Sequence, residues 1–467
     1  MSEIYFSNFV LEADTDYFLY IGELKNYGLN AYLKEALCRI FNRKFNFIAI
    51  VPDVFEQYNY ENIIVINPKA SLYACQYGAS VNCRVSAGEF MAEVSKNPKI
   101  QSLVRRLAKN QEALFINMYE SMPEMTLDSV EGVRILGPDK HIAAKLNSKI
   151  YQYNNLKDRL PIVDFAICEG LEALKETVAP LWDSWNQGIF ATAEYSAAGV
   201  NSTIAYCDKD IAEKFSAPDE TYLISRYVPH LHDPTVLAVV ADEGEVYIAG
   251  IADQCIAGGH RFTGSTFPTV LDAATCDRLR ELTRIAGNWL ASEGYRGIFG
   301  CDYLVTAEGQ IRFLEINARK QGTTLEFCCT LEQSLPPGAP NLPELEYYAV
   351  TEGLFPLNAV EIFEPLKNLH WGTFNYKIEN TVQTDGYIPQ SAQERDAFRQ
   401  VAIGRLKKHY LILEHTGSDF IAAEGSFIAR IVALGQDPAS VQQGLRQGQR
   451  TIELTIVEKP NPEKSHG

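Results

Sequence analysis

The stretch Gly297-Ile-Phe-Gly-Cys-Asp302-Tyr-Leu-Val-Thr-Ala-Glu-Gly-Gln-Ile-Arg-Phe-Leu-Glu315-Ile-Asn317-Ala-Arg319 decides how this chain reads. Two runs of alternating apolar and polar residues flank Ala307-Glu308-Gly309-Gln310, the pattern of a β-hairpin. A turn centred between Glu308 and Gly309 puts Asp302 directly opposite Glu315. Alternation puts Asn317 on the same face, together with Leu304, Ile311 and Phe313, so that face is expected to be partly buried. Two carboxylates opposed across a ladder sit roughly 5 Å apart and repel. Such a pair persists if a proton is shared, a basic side chain intervenes or a cation is bound. Two carboxylates and an amide oxygen form a hard, oxygen-only set suited to Mg2+.

Working outward, the 467 residues exceed one ordinary core, and about three domains are expected. A composition 46% hydrophobic and 22% charged is that of a globular protein. No apolar run approaches a membrane span, and the N-terminus lacks a signal-peptide pattern, so a cytoplasmic protein without a membrane partner is expected. The net charge of −17 opposes binding to nucleic acid. Any anionic ligand then needs a local basic cluster, backbone N–H groups or a metal. Ten scattered cysteines without a Cys-x-x-Cys argue against a disulfide scaffold or zinc ribbon, and His230 and His232 read as a solvated loop.

Before residue 136 the chain alternates α and β. Phe18–Ile21, Phe47–Val51, Ile63–Ile66 and Ala113–Ile116 read as buried parallel strands, and a helix is expected through Tyr32, Leu33, Leu37 and Ile40. The proline-rich segment 334–343 reads as a linker. Beyond it, Trp371–Ile378 alternates like a strand, while Ile403–His409 and Pro438–Leu445 look helical.

The pattern G-x-x-G-x-D-Tyr, a turn, then Phe-Leu-Glu-x-Asn-x-Arg resembles the magnesium-binding end of the ATP-grasp superfamily. The resemblance implies that Asp302, Glu315 and Asn317 hold Mg2+ bridging the phosphates of ATP, and that Arg319 contacts phosphate or an acyl phosphate. It extends upstream over some 190 residues. Gly137 to Val163 is similar to the entry into the ATP lid, implying that Lys149 reaches the α-phosphate. Phe190 to Ser202 resembles the lid strand and its small-residue loop, implying phosphate contacts at Ser196 and Gly199. The family's second lid lysine is replaced here by Ala191-Thr192-Ala193. Ser225, Arg226, Tyr227 and Val228 match the hinge whose main chain meets adenine, and Asp233 matches the acid on the ribose. An acid usual near Ser225 is missing. Gly258-Gly259-His260-Arg261 to Pro268 reads as a Gly-rich loop, with Arg261 as a transition-state or substrate-carboxylate contact and no role given to His260. Lys320 to Thr324 reads as a set of backbone donors for the acyl acceptor. Gly425 to Val441 resembles the closing segment of biotin-carboxylase-like members.

The implied architecture is α/β and α+β in three parts. An N-terminal parallel α/β domain (1–135) precedes the ATP-grasp lid (136–220) and metal-binding half (221–332), and a small α+β domain (333–467) closes the chain. The implied activity is an ATP- and Mg2+-dependent ligase that activates a carboxylate as acyl phosphate and joins it to an amine. Small-molecule carboxylate and amine substrates are expected, in an amino-acid or peptide ligase serving the biosynthesis of a small metabolite, and a homodimer is the default assembly. The rivals are a carboxylate–thiol ligase loading an acyl carrier protein or coenzyme A, and a catalytically silent nucleotide-binding module.

Overall fold

Phe18, Leu19, Tyr20, Ile21 and Ile48 to Val51 have no solvent exposure, as residues of strands covered on both faces must. The computed structural model describes residues 4–458 apart from 56–59, 78, 197–200, 260, 365, 387 and 389–393. In it the expected strands form a sheet in the order Phe6–Ser7, Ile63–Val65, Phe45–Val51, Asp16–Ile21, Leu114–Met118, Val133–Leu136. Every pairing is parallel except that of the short edge strand Phe6–Ser7. The expected amphipathic helix is Leu29–Phe41, and its buried residues Leu29, Tyr32, Leu33, Ala36 and Leu37 follow the 3.6-residue period.

A second, four-stranded antiparallel sheet runs Ser202–Ala205, Ile189–Ala193, Thr221–Arg226, Phe165–Glu169. Thr221–Arg226 is a central strand of this sheet, so the sheet crosses the division expected at residue 220. The largest sheet has eight strands in the order Ile311–Asn317, Gly297–Val305, Pro234–Val240, Val246–Ala257, Arg261–Phe267, His370–Lys377, Phe427–Gly435, Lys408–Leu413. It runs without a break through the division expected at residue 333. Trp371 stacks on Phe267 at 5.3 Å between ring centroids, in one core with Phe327, Leu369 and Phe398. Helix Ala273–Ser292 covers the other face through Leu279, Leu282, Ala286 and Leu290. A further four-stranded sheet joins Ser80–Asn82 in parallel to Phe420–Ala422, tying early sequence to late.

Two local expectations fail for identifiable reasons. The segment around Gly264 is the strand Arg261–Phe267, not a loop. A Cβ on Gly264 would lie 1.9 Å from the Thr373 carbonyl oxygen, so the residue is glycine because the neighbouring strand passes that closely. Gly258 and Gly259, both at positive φ, make the preceding turn, and His260 lies outside the described residues. Ile403–His409 is not helical: the helix Glu394–Ala402 ends there, Gly404 takes a φ of 75°, and the strand Lys408–Leu413 follows. Helix Pro438–Glu453 and strand His370–Lys377 occur where the pattern puts them.

Because Gly264 sits in the centre of a continuous sheet, Gly264→Ala must push two strands apart. The expected loss is about 3 kcal/mol, at the upper end for overpacking. A urea midpoint equal to that of the wild type would contradict the pairing of Arg261–Phe267 with His370–Lys377.

Candidate active site

Asp302 and Glu315 face each other in the hairpin ladder, between Cys301↔Ile316 and Tyr303↔Phe313. The connection spans Thr306 to Gln310, with Gly309 N–H donating to the Thr306 carbonyl, so the turn lies half a residue earlier than expected. A register shift between Asp302 and Tyr303 leaves Leu314 as an extra residue and restores the Asp302–Glu315 pairing. The same bulge turns Ile311 and Phe313 to the opposite face. There Phe313 packs with Tyr303, Cys301 and Ile316 against helix Ala273–Ser292, so these side chains do not line the carboxylate face as alternation implied.

Asp302 is 9% exposed. Burial, then the charge of Glu315, pushes its carboxyl up to about 6. Asn317 Nδ2 donates to Asp302 Oδ2 at 2.9 Å, and Gln321 Nε2 approaches Oδ1 at 3.5 Å. Glu315 Oε2 pairs with Lys149 Nζ at 2.5 Å. A basic side chain therefore meets one carboxylate of the pair, Glu315, while amide donors meet the other, Asp302. Lys149 Nζ also donates to the Ser196 carbonyl at 2.8 Å, which ties the lid loop to the carboxylates.

The exposed edge of strand Ile311–Asn317 explains why Lys149 arrives there. Its main-chain donors would be orphaned at a bare edge. Phe313 N–H bonds the Pro161 carbonyl, Ile316 N–H bonds Gln152 Oε1 at 2.7 Å, and Ala318 N–H bonds Asn147 Oδ1 at 2.9 Å. Gln152, fully buried, also donates to the carbonyls of Leu146 and Ile316. Residues 147–161 are thus sewn along the edge, and helix Lys149–Leu156, capped by Ser148, starts with its first residue opposite Glu315.

Arg319 follows directly. Its Nη2 donates to Asn317 Oδ1 at 2.9 Å and its Nη1 to Tyr119 Oη at 3.2 Å, while Nε lies 3.7 Å from Glu120. Burial works against its charge, but Tyr119 and Glu120 hold the guanidinium firmly protonated. Lys25 Nζ lies 4.8 Å from the centroid of the same Tyr119 ring, and Arg319 5.7 Å from it. Tyr119, Glu120, Asn147 and Gln152 were not singled out from the sequence. Each acts through side-chain geometry that leaves no periodic or spaced signal.

The hinge is more constrained than its sequence implies. Ser225 lies between strands on both sides, so the ladder takes up its main chain. The N–H groups of Arg226 and Tyr227 bond the carbonyls of Asp164 and Gly188. The Val228 carbonyl meets His230 Nδ1 at 2.8 Å, and His230 Nε2 pairs with Asp233 at 2.8 Å. His230 is therefore not part of a solvated loop. Its side chain is 13% exposed and clasps the hinge to Asp233. The Asp233 hydrogen bond raises its pKa, against burial, which lowers it.

Arg261 is not brought to the carboxylates by any described contact. It is exposed and pairs with Glu379 at 2.5 Å. With Arg84 and Lys214 it also lowers the pKa of Lys377, after burial. Gly199 lies outside the described residues. Lys320, expected among backbone donors, is a buried anchor whose Nζ bonds Glu346 and the Met118 carbonyl.

No family model matches the chain. It is 29% identical over 114 residues to L-propargylglycine–L-glutamate ligase of Streptantibioticus cattleyicolor, covering 24% of this chain and 23% of that one. It is 22% identical over 207 residues to [butirosin acyl-carrier protein]–L-glutamate ligase of Niallia circulans, covering 43% of this chain and 49% of that one. The matched regions thus span under half of either relative's length. Among solved structures, biotin carboxylase of Campylobacter jejuni in its β,γ-ATP complex superimposes with a TM-score of 0.59 at 14% identity. That superposition covers 96% of this chain and 92% of the other, a likeness of fold. No helix among the described residues is long and apolar enough to cross a membrane.

The His230 clasp has a pH signature. A histidine whose folded pKa exceeds the unfolded one binds an extra proton when folded. Its contribution is full below about pH 6.5 and is lost as pH rises through the folded value. His230→Asn should flatten stability between pH 6 and pH 8 relative to the wild type, read as the difference in urea midpoints at the two pH values. An unchanged difference would remove the clasp.

Proposed function

We propose that this chain, which has the ATP-grasp fold, is an ATP-dependent ligase that phosphorylates a carboxylate and passes the acyl group to an amine. The observation that carries the reading is the convergence of Asp302, Glu315, Asn317, Lys149 and Arg319, joined by direct contacts. A buried carboxylate whose proton affinity is raised by a second carboxylate opposite it is a place where a cation is wanted. Both side chains and the Asn317 amide offer only oxygen to a metal. On that basis Asp302, Glu315 and Asn317 would hold Mg2+, which when bound neutralises phosphate charge.

The remaining work falls to groups of the chain itself. Lys149, which pairs with Glu315 in this structure, would meet a nucleotide phosphate. Its bond to the Ser196 carbonyl makes the lid loop sensitive to that contact. Arg319 is held by Tyr119 as well as by Asn317, so its charge would stand close to the transferring phosphoryl group without a large rearrangement. In the hinge, the Val228 N–H is the donor offered to adenine, since those of Arg226 and Tyr227 are taken. Asp233, held by His230, would face the ribose. Ser196 and Gly199 would line the phosphates, and Arg261, which together with Arg84 bears on Lys377, would act on an incoming anion.

An amine acceptor is the reading favoured, supported by the likeness to L-propargylglycine–L-glutamate ligase, while the likeness to an acyl-carrier-protein–L-glutamate ligase is what favours the carrier-protein rival. Glu315→Gln should abolish ATP turnover in a protein that still melts cooperatively, and a fully active variant would sink the metal assignment. Arg319→Ala should lower kcat by about 100-fold or more with little change in ATP affinity, because its charge is needed where charge develops. Loss of ATP affinity with an unchanged kcat would refute that role. With a pool of carboxylates, hydroxylamine should trap hydroxamate in step with ADP formation. Consumption of a thiol or a carrier protein instead would transfer the chain to the carboxylate–thiol class.

A further inference from the structure

Beyond the Lys25–Tyr119–Arg319 stack lies a cavity of about 260 Å3, slightly below the usual range for drug-sized ligands and matched to a small metabolite. It opens between the segment Leu24–Ala31, which leads from strand Asp16–Ile21 into helix Leu29–Phe41, and the C-terminal part, and Lys25, Glu394, Glu414 and Arg430 are among its lining. Its floor is a guanidinium ringed by acids. Arg430, 3% exposed, pairs with Glu326 and with Glu394 at 3.2 Å, and its Nε lies 3.6 Å from Glu414 Oε1. That Nε has no hydrogen-bond partner among the described residues.

Three carboxylates thus surround one guanidinium, and Lys25 is committed to Glu23. Buried acids in excess of bases need a further cation or a proton. Burial pushes Glu414 up to about 8, with Asp53 and Glu394 adding to the rise against Arg430 and Lys25. Burial also takes Glu394 to about 7. Glu414 is moreover held at a φ of 61°, a left-handed backbone that costs energy in a non-glycine residue. Its carboxylate is kept in place against both charge and backbone preference.

The lining carries both signs: Glu394, Asp396 and Glu414 as acids, and Lys25, Arg395 and Arg430 as bases, with Arg395 already paired to Glu35 and Glu332. Lys25 leads through the Tyr119 ring toward Arg319. We propose that this cavity binds a small zwitterionic α-amino acid, its ammonium against Glu414 and Glu394 and its carboxylate toward Lys25 and Arg319, as the acid that is activated. This rests on the ligase reading above. The carboxylate oxygen attacks the γ-phosphorus of ATP, the bond from that phosphorus to the β,γ-bridging oxygen breaks, and ADP leaves with the electron pair. Aliphatic and aromatic walls at Phe47, Leu325 and Leu413 receive the side chain.

The test uses the full-length protein without nucleotide. Its melting temperature is followed with each common proteinogenic L-amino acid and with deamino partners such as propionate for L-alanine, glutarate for L-glutamate and isovalerate for L-valine. At least one amino acid should raise the melting temperature while its deamino partner does not. Titration of that amino acid should show at least about tenfold weaker binding to Glu414→Gln and to Glu394→Gln. Stabilisation by ATP, measured separately, should survive in both variants. Stabilisation by no amino acid, equal stabilisation by the deamino acid, or undiminished affinity in both variants would overturn the proposal. An absence of ATP stabilisation in the wild type would instead strike the ligase reading, so the two failures are distinct. If Glu414→Gln does not fold, Glu394→Gln carries the same comparison.

Discussion

Asp302 and Glu315 are fixed opposite each other by a sheet that cannot let them part, and the neighbouring structure answers that repulsion. Relief by exposure is closed to Asp302, because strands Pro234–Val240 and Ile311–Asn317 flank its own. Relief comes from Lys149 on one carboxylate and Asn317 on the other, and through Asn317 it reaches Arg319 and Tyr119. A charge conflict at one rung of a ladder thus becomes a network spanning the parallel sheet, the lid entry and the large sheet. The network is built from groups that would exchange partners readily if a cation and a polyphosphate entered.

The large sheet makes that network rigid. Its eight strands bring the hairpin at one edge and the C-terminal strands at the other into a single hydrogen-bonded layer, with Trp371, Phe267 and Phe327 packed beneath the middle. The segment Ser80–Asn82 pairing with Phe420–Ala422 then closes the N-terminal part against the C-terminal part. The acids around Arg430 and the basic groups around Arg319 are positioned relative to each other by this frame rather than by loops, which is what orientation of reacting groups demands.

Legibility followed the range of the interactions. Hydrophobic runs marked the parallel strands because burial on both faces imposes composition locally. The Asp302–Glu315 pairing was also legible, but by cancellation: the turn is half a residue displaced and the Leu314 bulge compensates. The same bulge defeated the assignment of Ile311 and Phe313, since a single extra residue inverts every side chain beyond it. Gly264 misled for a related reason. Glycine signals a loop or a close approach equally, and the approach here comes from Thr373, over a hundred residues later. His230 looked solvent-facing because its partners, Val228 and Asp233, are main-chain and loop groups without periodicity. The acids at 326, 394 and 414 converge on Arg430 only through the fold, so no spacing rule could have joined them.

A chain with a net charge of −17 is an unpromising host for a polyphosphate, and the structure resolves this by segregating charge. Lys149, Arg319 and Lys25 are gathered along one path, each already facing a carboxylate or an aromatic ring. Such pairs cost stability when buried and bring little net energy in the free protein. Their consequence is preorganisation: Lys149, Arg319 and Lys25 are already in place, held by Glu315, Glu120 and Glu23. Excess acid around Arg430 and opposed acid at the hairpin are then two instances of one arrangement, in which buried carboxylates outnumber the bases that meet them. On the proposed function, stability lost to those carboxylates in the free state would return as affinity for the ligands that meet them.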